Sequence, residues 1–248
     1  MSKPSATPKS NAVKITLANA HKHLPRPTAI LFDWDNTLAD TWQIIFESLH
    51  DTFIAMGHEP WSMEDVRGGR EGIHHSLRDS FPRIFGDKWN DAREVYYKSF
   101  LKHHLDKIAG LPDVPSVLRL LSESDIYVGI VSNKTGEYLR QEVTHLGWDS
   151  YFRKIVGATD AKRDKPFPDP VHLAMEGSNI DIGKHVWLIG DSITDIECAV
   201  NAGCTPILFG ENVVRVGDKH MNWPVDFDHL VHVKDHKQLE TLMRKVLS

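Results

Sequence analysis

The chain has 248 residues, 41% hydrophobic and 25% charged, which suits one large domain with a packed core and excludes wholesale disorder. A net charge of -5 with the histidines neutral argues against a nucleic-acid binder that relies on a broad basic field. Two cysteines, Cys198 and Cys204, are too few for a disulfide framework and read as free thiols, and no apolar run reaches the roughly 18 residues of a membrane helix.

The first 32 residues contain no Asp or Glu, and Lys3, Lys9, Lys14, Lys22 and Arg26 lie among Ser, Thr and Pro. With no apolar signal segment and no amphipathic pattern, residues 1–27 read as a flexible tail on a cytoplasmic protein. The run AILFDWD at 29–35 reads as a buried strand that ends in Asp33 and Asp35. Two carboxylates this close repel, so the pair needs a compensating cation or a chemical task.

Next, WQIIFESLHDTFIAMG carries Trp42, Ile45, Phe46, Leu49, Phe53 and Met56 at helical spacing. Asp40 is the expected N-cap, with Gln43 three residues on. A glycine-rich loop, VRGGREG, and a further helix through REVYYKSFLKHHL follow. From about residue 111 the rhythm changes. Short Val- and Ile-rich runs at 126–133, 154–160, 185–191 and 204–210 alternate with helical patterns in VPSVLRLLSE, EYLRQEVTHLG and ITDIECAVNAG. That alternation predicts an α/β fold: a parallel, Rossmann-like sheet covered by helices. The expected organisation is a core of residues 28–40 and 111–248, with a small helical cap, 41–110, inserted after the first strand.

Ligands of open α/β sheets sit beyond the carboxyl ends of the strands. Polar residues gather there: Asp33 and Asp35, Ser132 and Asn133, Asp160, and Asp191. DWDNT alone also fits a turn. Together with VSNK at 131–134, Lys165 before Pro166 and GDSITD at 190–195, it resembles the four motifs of the haloacid dehalogenase superfamily. The resemblance covers about residues 28–248 and is nearest to the phosphoglycolate phosphatase branch. Asn36 stands where that superfamily commonly has Gly, and Asn tolerates the left-handed turn conformation.

The resemblance implies a Mg²⁺-dependent phosphatase acting on small phosphorylated metabolites. Asp33 is the implied nucleophile, and Asp35 the general acid and then base. The implied magnesium ligands are Asp33, the Asp35 carbonyl and Asp191, supported by Asp195. Lys165 would neutralise the cluster, and the Ser132 hydroxyl and Asn133 backbone N–H would hold phosphoryl oxygens. Asp35 argues against dehalogenation, because a halide leaves without a proton. A sugar-phosphate mutase resembling β-phosphoglucomutase is the alternative, and a non-enzymatic regulatory protein of this fold a distant third. The expected partner is a small metabolite, with no nucleic acid and no membrane, in a monomer or homodimer. In the cap loop, Arg67 and Arg70 are expected to grip the far, anionic end of a substrate such as phosphoglycolate. Fifteen histidines do not suggest a zinc site, since His74–His75 and His103–His104 are adjacent pairs.

Overall fold

The structure, a computed structural model, describes residues 15–210 and 230–248. Strand β1 (Ala29–Phe32) leads through a turn into the two-residue β2 (Ala39–Asp40). Four helices follow: α1 (Trp42–Ala55), α2 (Met63–Arg67), α3 (Leu77–Phe85) and α4 (Trp89–Lys107). The chain then returns through β3 (Ala109–Gly110), which pairs antiparallel with β2 and closes the neck of this helical insertion. The remainder alternates: α5 (Val114–Ser122), β4 (Tyr127–Thr135), α6 (Gly136–His145), β5 (Lys154–Ala158), α7 (Asp169–Met175), β6 (Val186–Gly190), α8 (Ile193–Asn201) and β7 (Thr205–Phe209). Beyond residues 211–229 come β8 (Val231–Val233) and α9 (His236–Leu247).

Six strands form one parallel sheet in the order β5-β4-β1-β6-β7-β8. Every residue of β1 is buried, as an unbroken apolar run requires when helices cover both faces. The two-residue period sends Ile30 and Phe32 to one face, packed with residues of α5, α6 and α9. Leu31 points to the other, with Val171 and Ala174 of α7 and Cys198 and Ala199 of α8. Each such large apolar side chain stabilises the fold by about 1.5–3 kcal/mol. Both cysteines are buried free thiols.

In the cap, α1 lies along α4, and aromatic rings fill the space between helices. Phe81 meets Tyr96 edge-on at 5.7 Å, and Phe85 meets Phe53 at 5.3 Å. Trp148 reaches from the core to the neck and packs edge-on against Trp34 at 5.9 Å. The sequence reading placed the N-cap of α1 at Asp40. Thr41 holds that position instead, because Asp40 is taken by the β2–β3 pair. Helix α3 lies in a stretch left without an element, and β8 and α9 extend the core past the last element read from the sequence.

The expected tail divides. Residues 1–14 lie outside the described residues. Residues 15–27 carry a short 3-10 turn, Ala20–Lys22, with Ala20 fully buried in the main core cluster. This part is packed, since Ala20, Leu17 and Leu24 supply apolar surface that a free tail would leave in water.

Candidate active site

The carboxyl ends of β1, β4 and β6 meet beneath the cap. Asp33 continues the sheet by one residue, its backbone N–H donating to the Ile189 carbonyl at 2.8 Å. Its side chain is buried, and Oδ1 accepts a hydrogen bond from Lys165 Nζ at 2.8 Å. The same ammonium donates to Asp195 Oδ1 at 2.6 Å. Carboxylate oxygens of Asp33, Asp191 and Asp195 all lie within 4.8 Å of one another.

This crowding sets the electrostatics. Burial pushes the Asp33 carboxyl up to about 7; Lys165 pulls against that, while Asp195 and Asp35 add to it. Burial, then Asp33 and Asp195, raise Asp191 well above the ordinary carboxylate range. Burial would lower the Lys165 pKa, but the two aspartates outweigh it and raise it, so the lysine stays charged. One lysine faces three carboxylates. The surplus of negative charge and the all-oxygen donor set fit a hard divalent cation. Among the described residues no other His, Cys, Asp or Glu cluster has metal-binding geometry, and the histidines form none.

Asp195 was expected to support the metal shell, and its oxygens lie in the same acid cluster while holding neighbouring groups in place. Oδ1 holds Lys165, while Oδ2 accepts from the Ser192 backbone N–H at 3.0 Å and the Ser192 hydroxyl at 2.6 Å, capping α8. Gly190 makes this approach possible, because a Cβ there would overlap the Asp195 carboxyl.

Asp35 sits just before the turn, with Lys134 Nζ 2.6 Å from Oδ1 in an ion pair that lacks hydrogen-bond alignment. Asn36 adopts φ +58°, the left-handed conformation that Gly commonly takes. Its Oδ1 accepts from the Thr41 backbone N–H at 3.2 Å, tying the turn to the start of α1. Ser132 is buried in the carboxyl-terminal half of β4 and lines the cavity with Asn133. The Asn133 side chain bridges the units, donating to the carbonyls of His74 in the cap and Lys165 in the core, each at 3.1 Å.

A model of the haloacid dehalogenase-like hydrolase family matches residues 30–209. The chain belongs to that family. The hydrolase is 31% identical over 176 residues to pyrophosphatase PpaX of Listeria monocytogenes serotype 4b, covering 71% of this chain and 79% of the relative. It is 30% identical over 178 residues to phosphoglycolate phosphatase of Aquifex aeolicus, covering 70% and 80%. A superfamily hydrolase from Ehrlichia chaffeensis superposes with a TM-score of 0.61 at 28% identity, over 91% of this chain and 100% of that one. A family member from Streptococcus pneumoniae shares the fold, with a TM-score of 0.70 at 22% identity over 88% and 98%.

The hydrolase thus brings Asp33, Asp35, Ser132, Asn133, Lys165 and Asp191 to one cavity, with Asp195 directly behind Lys165. It does not bring Arg67 and Arg70 there. Arg67 stacks on the Trp42 ring at 5.3 Å and borders an outer cleft. Arg70 pairs with Asp65 at 3.4 Å and lies over Trp61 at 5.2 Å. Gly69 and Gly72 take positive φ and turn the loop so that His74 and His75, not the arginines, line the cavity. Asp160, one of the strand-end acids, is held by Arg140 at 2.7 Å and by the Gly157 N–H at 2.8 Å, and does not line the cavity.

Sequence reasoning missed four residues that hold the site. Glu142, fully buried in α6, accepts from Trp34 Nε1 at 2.7 Å and Lys134 Nζ at 2.8 Å, with His104 Nδ1 3.3 Å away. Arg78 of the cap donates to both oxygens of buried Asp164 at 2.6 and 2.7 Å, beside Lys165. Lys134 was visible inside VSNK; Glu142, Arg78 and Asp164 carry no local signal.

Proposed function

We propose that this hydrolase is a Mg²⁺-dependent phosphatase of small phosphomonoesters that works through an aspartyl-phosphate on Asp33. The observation that carries the reading is Asp33 itself, buried against Lys165 at a strand end, with a second carboxyl two residues on. Relatives named phosphatase and pyrophosphatase support it.

Asp33 attacks phosphorus, and the bond from phosphorus to the ester oxygen breaks. Asp35 gives its proton to the departing alkoxide. Water then attacks the acyl-phosphate, its proton returns to Asp35, and the bond between phosphorus and Asp33 breaks to release phosphate. The Ser132 hydroxyl and the Asn133 N–H would hold phosphoryl oxygens through both steps, and Lys165 offsets the negative charge they share with Asp33. Asp33, Asp191 and the Asp35 carbonyl would hold Mg²⁺, which supplies charge neutralisation at the phosphoryl oxygens.

Rapid acid quenching with a radiolabelled phosphomonoester tests this. Label should stay on the wild-type protein and be absent from Asp33→Asn, whose turnover should fall at least about a thousandfold. Wild-type phosphate release by Asp33→Asn would overturn the reading.

A further inference from the structure

The cavity has two chemically different ends. One carries the aspartates, Lys165 and Ser132. The other is apolar and aromatic, made by Trp42, Ile45, Leu49, Tyr97, Phe100 and Tyr138. The rings close on one another, Tyr97 to Tyr138 at 5.0 Å and Phe100 to Tyr138 at 5.6 Å. The Tyr97 hydroxyl shares a 2.5 Å hydrogen bond with Thr135 of the core, so the ring is fixed in the wall.

Every cation lining the inner cavity among the described residues is already committed. Lys165 is held by Asp33 and Asp195, and Lys134 by Asp35 and Glu142. Burial, the largest influence on each, lowers the pKa of both His74 and His75 and favours their neutral rings. Outside the inner cavity, Arg67 lies on Trp42 and borders the outer cleft with Lys234 and Lys237, while Arg70 is held by Asp65 and Arg78 by Asp164. A carboxylate or second phosphate placed here would lose its water without gaining a counter-charge, a cost of several kcal/mol.

Resting on phosphatase chemistry at Asp33, we infer that the alcohol this enzyme releases is small, uncharged and ring-bearing, with Tyr97, Phe100 and Tyr138 as the specificity-determining surface. Aromatic walls favour a planar ring through edge and face contacts. The cavity, polar and apolar ends together, measures about 120 Å³, below the ~150 Å³ of a site that accepts benzene, so the group beside the phosphoryl must be small. It opens past Trp42 and His74 into the outer cleft, which shares Asn36 and Asp191 with it.

The test uses the full chain with Mg²⁺ and three substrates: benzyl phosphate, phosphoglycolate and pyrophosphate. Benzyl and glycolate esters both leave as alkoxides, so the comparison isolates the far group. The expected kcat/KM for benzyl phosphate exceeds both others by at least about tenfold. Ile45→Arg, which places a cation in the apolar wall, should shift the ratio of phosphoglycolate to benzyl phosphate upward by at least about fivefold. Circular dichroism checks that the variant folds; if it does not, the three wild-type values decide alone. Equal or better wild-type turnover of phosphoglycolate or pyrophosphate, abolished by Asp33→Asn, would overturn the inference and leave the phosphatase reading standing. Absence of phosphate release from all three, and from a wider set of monoesters, would overturn both.

Discussion

Lys134 Nζ stands 2.6 Å from Asp35 Oδ1, and the same ammonium is anchored 2.8 Å from Glu142 on its other side. The proposed general acid is therefore held by a lysine that is itself held by a buried glutamate. Burial alone would lower the Lys134 pKa; Asp35 and Glu142 outweigh it and raise it, so the lysine is charged across the working range. Lys134→Met should leave Asp35 free to rotate. The expected outcome is a fall in kcat of about ten- to a hundredfold with KM changed far less, read by steady-state phosphate release. A KM effect with normal kcat would assign Lys134 to substrate binding instead.

Glu142 is the acceptor for three groups, Trp34 Nε1, Lys134 Nζ and the His104 ring, and is fully buried. Its removal strands the Lys134 charge with one partner fewer. Glu142→Ala should cost about 3–5 kcal/mol in urea unfolding, more than an ordinary cavity mutation in an apolar core of similar size. A loss below about 1 kcal/mol would mean that water replaces the carboxylate freely.

Arg78 and Asp164 form a two-pronged clasp between cap helix α3 and the loop that delivers Lys165. Arg78→Ala should loosen the cap without touching the aspartates. Amide exchange in α3 should speed up, and kcat/KM should drop about tenfold, mainly through KM. Unchanged exchange in α3 would show that the aromatic contacts alone close the lid.

Acid should destabilise the core through His236, which is buried at the start of α9 against Phe209. Burial lowers its pKa from 6.5 to about 4, with Asp113 and Asp235 opposing only in part. As pH falls from 6.5 to 4 the unfolded chain takes up this proton and the folded one does not. Stability is therefore lost in that window, by up to about 3 kcal/mol from this residue. Unfolding free energies at pH 7 and 4.5 should differ less in His236→Gln than in the wild type. Equal pH dependence in both would place the acid sensitivity elsewhere.

Chelation is the simplest check on the acid cluster. EDTA should abolish phosphate release and added Mg²⁺ should restore it, because the surplus negative charge of Asp33 and Asp191 repels a phosphate dianion. Undiminished activity after thorough chelation would remove the metal from the mechanism.

The sequence by itself determined the strands and which polar residues stand near their ends. Apolar runs such as AILF and VWLIG have one stable use, a sheet buried on both faces, and all of their residues are buried. Asp33, Asp35, Ser132 and Asp191 were legible because strand ends are local, a few residues fixing where each side chain emerges, whereas Lys165 was legible only through the motif it resembles. Asn36 was legible locally too, through its turn. The tertiary structure alone decided what meets across long separations. Lys165 reaches Asp33 over 132 residues, and Arg78 reaches Asp164 over 86. Only the tertiary structure turned Arg67 and Arg70 away from the cavity, because a loop's composition does not set its facing. The aromatic wall was hidden too. Helical spacing reports which face of α1 or α4 is buried, whereas core and substrate pocket are both apolar, and only the packed neighbours distinguish a filled interior from a space left for a ligand.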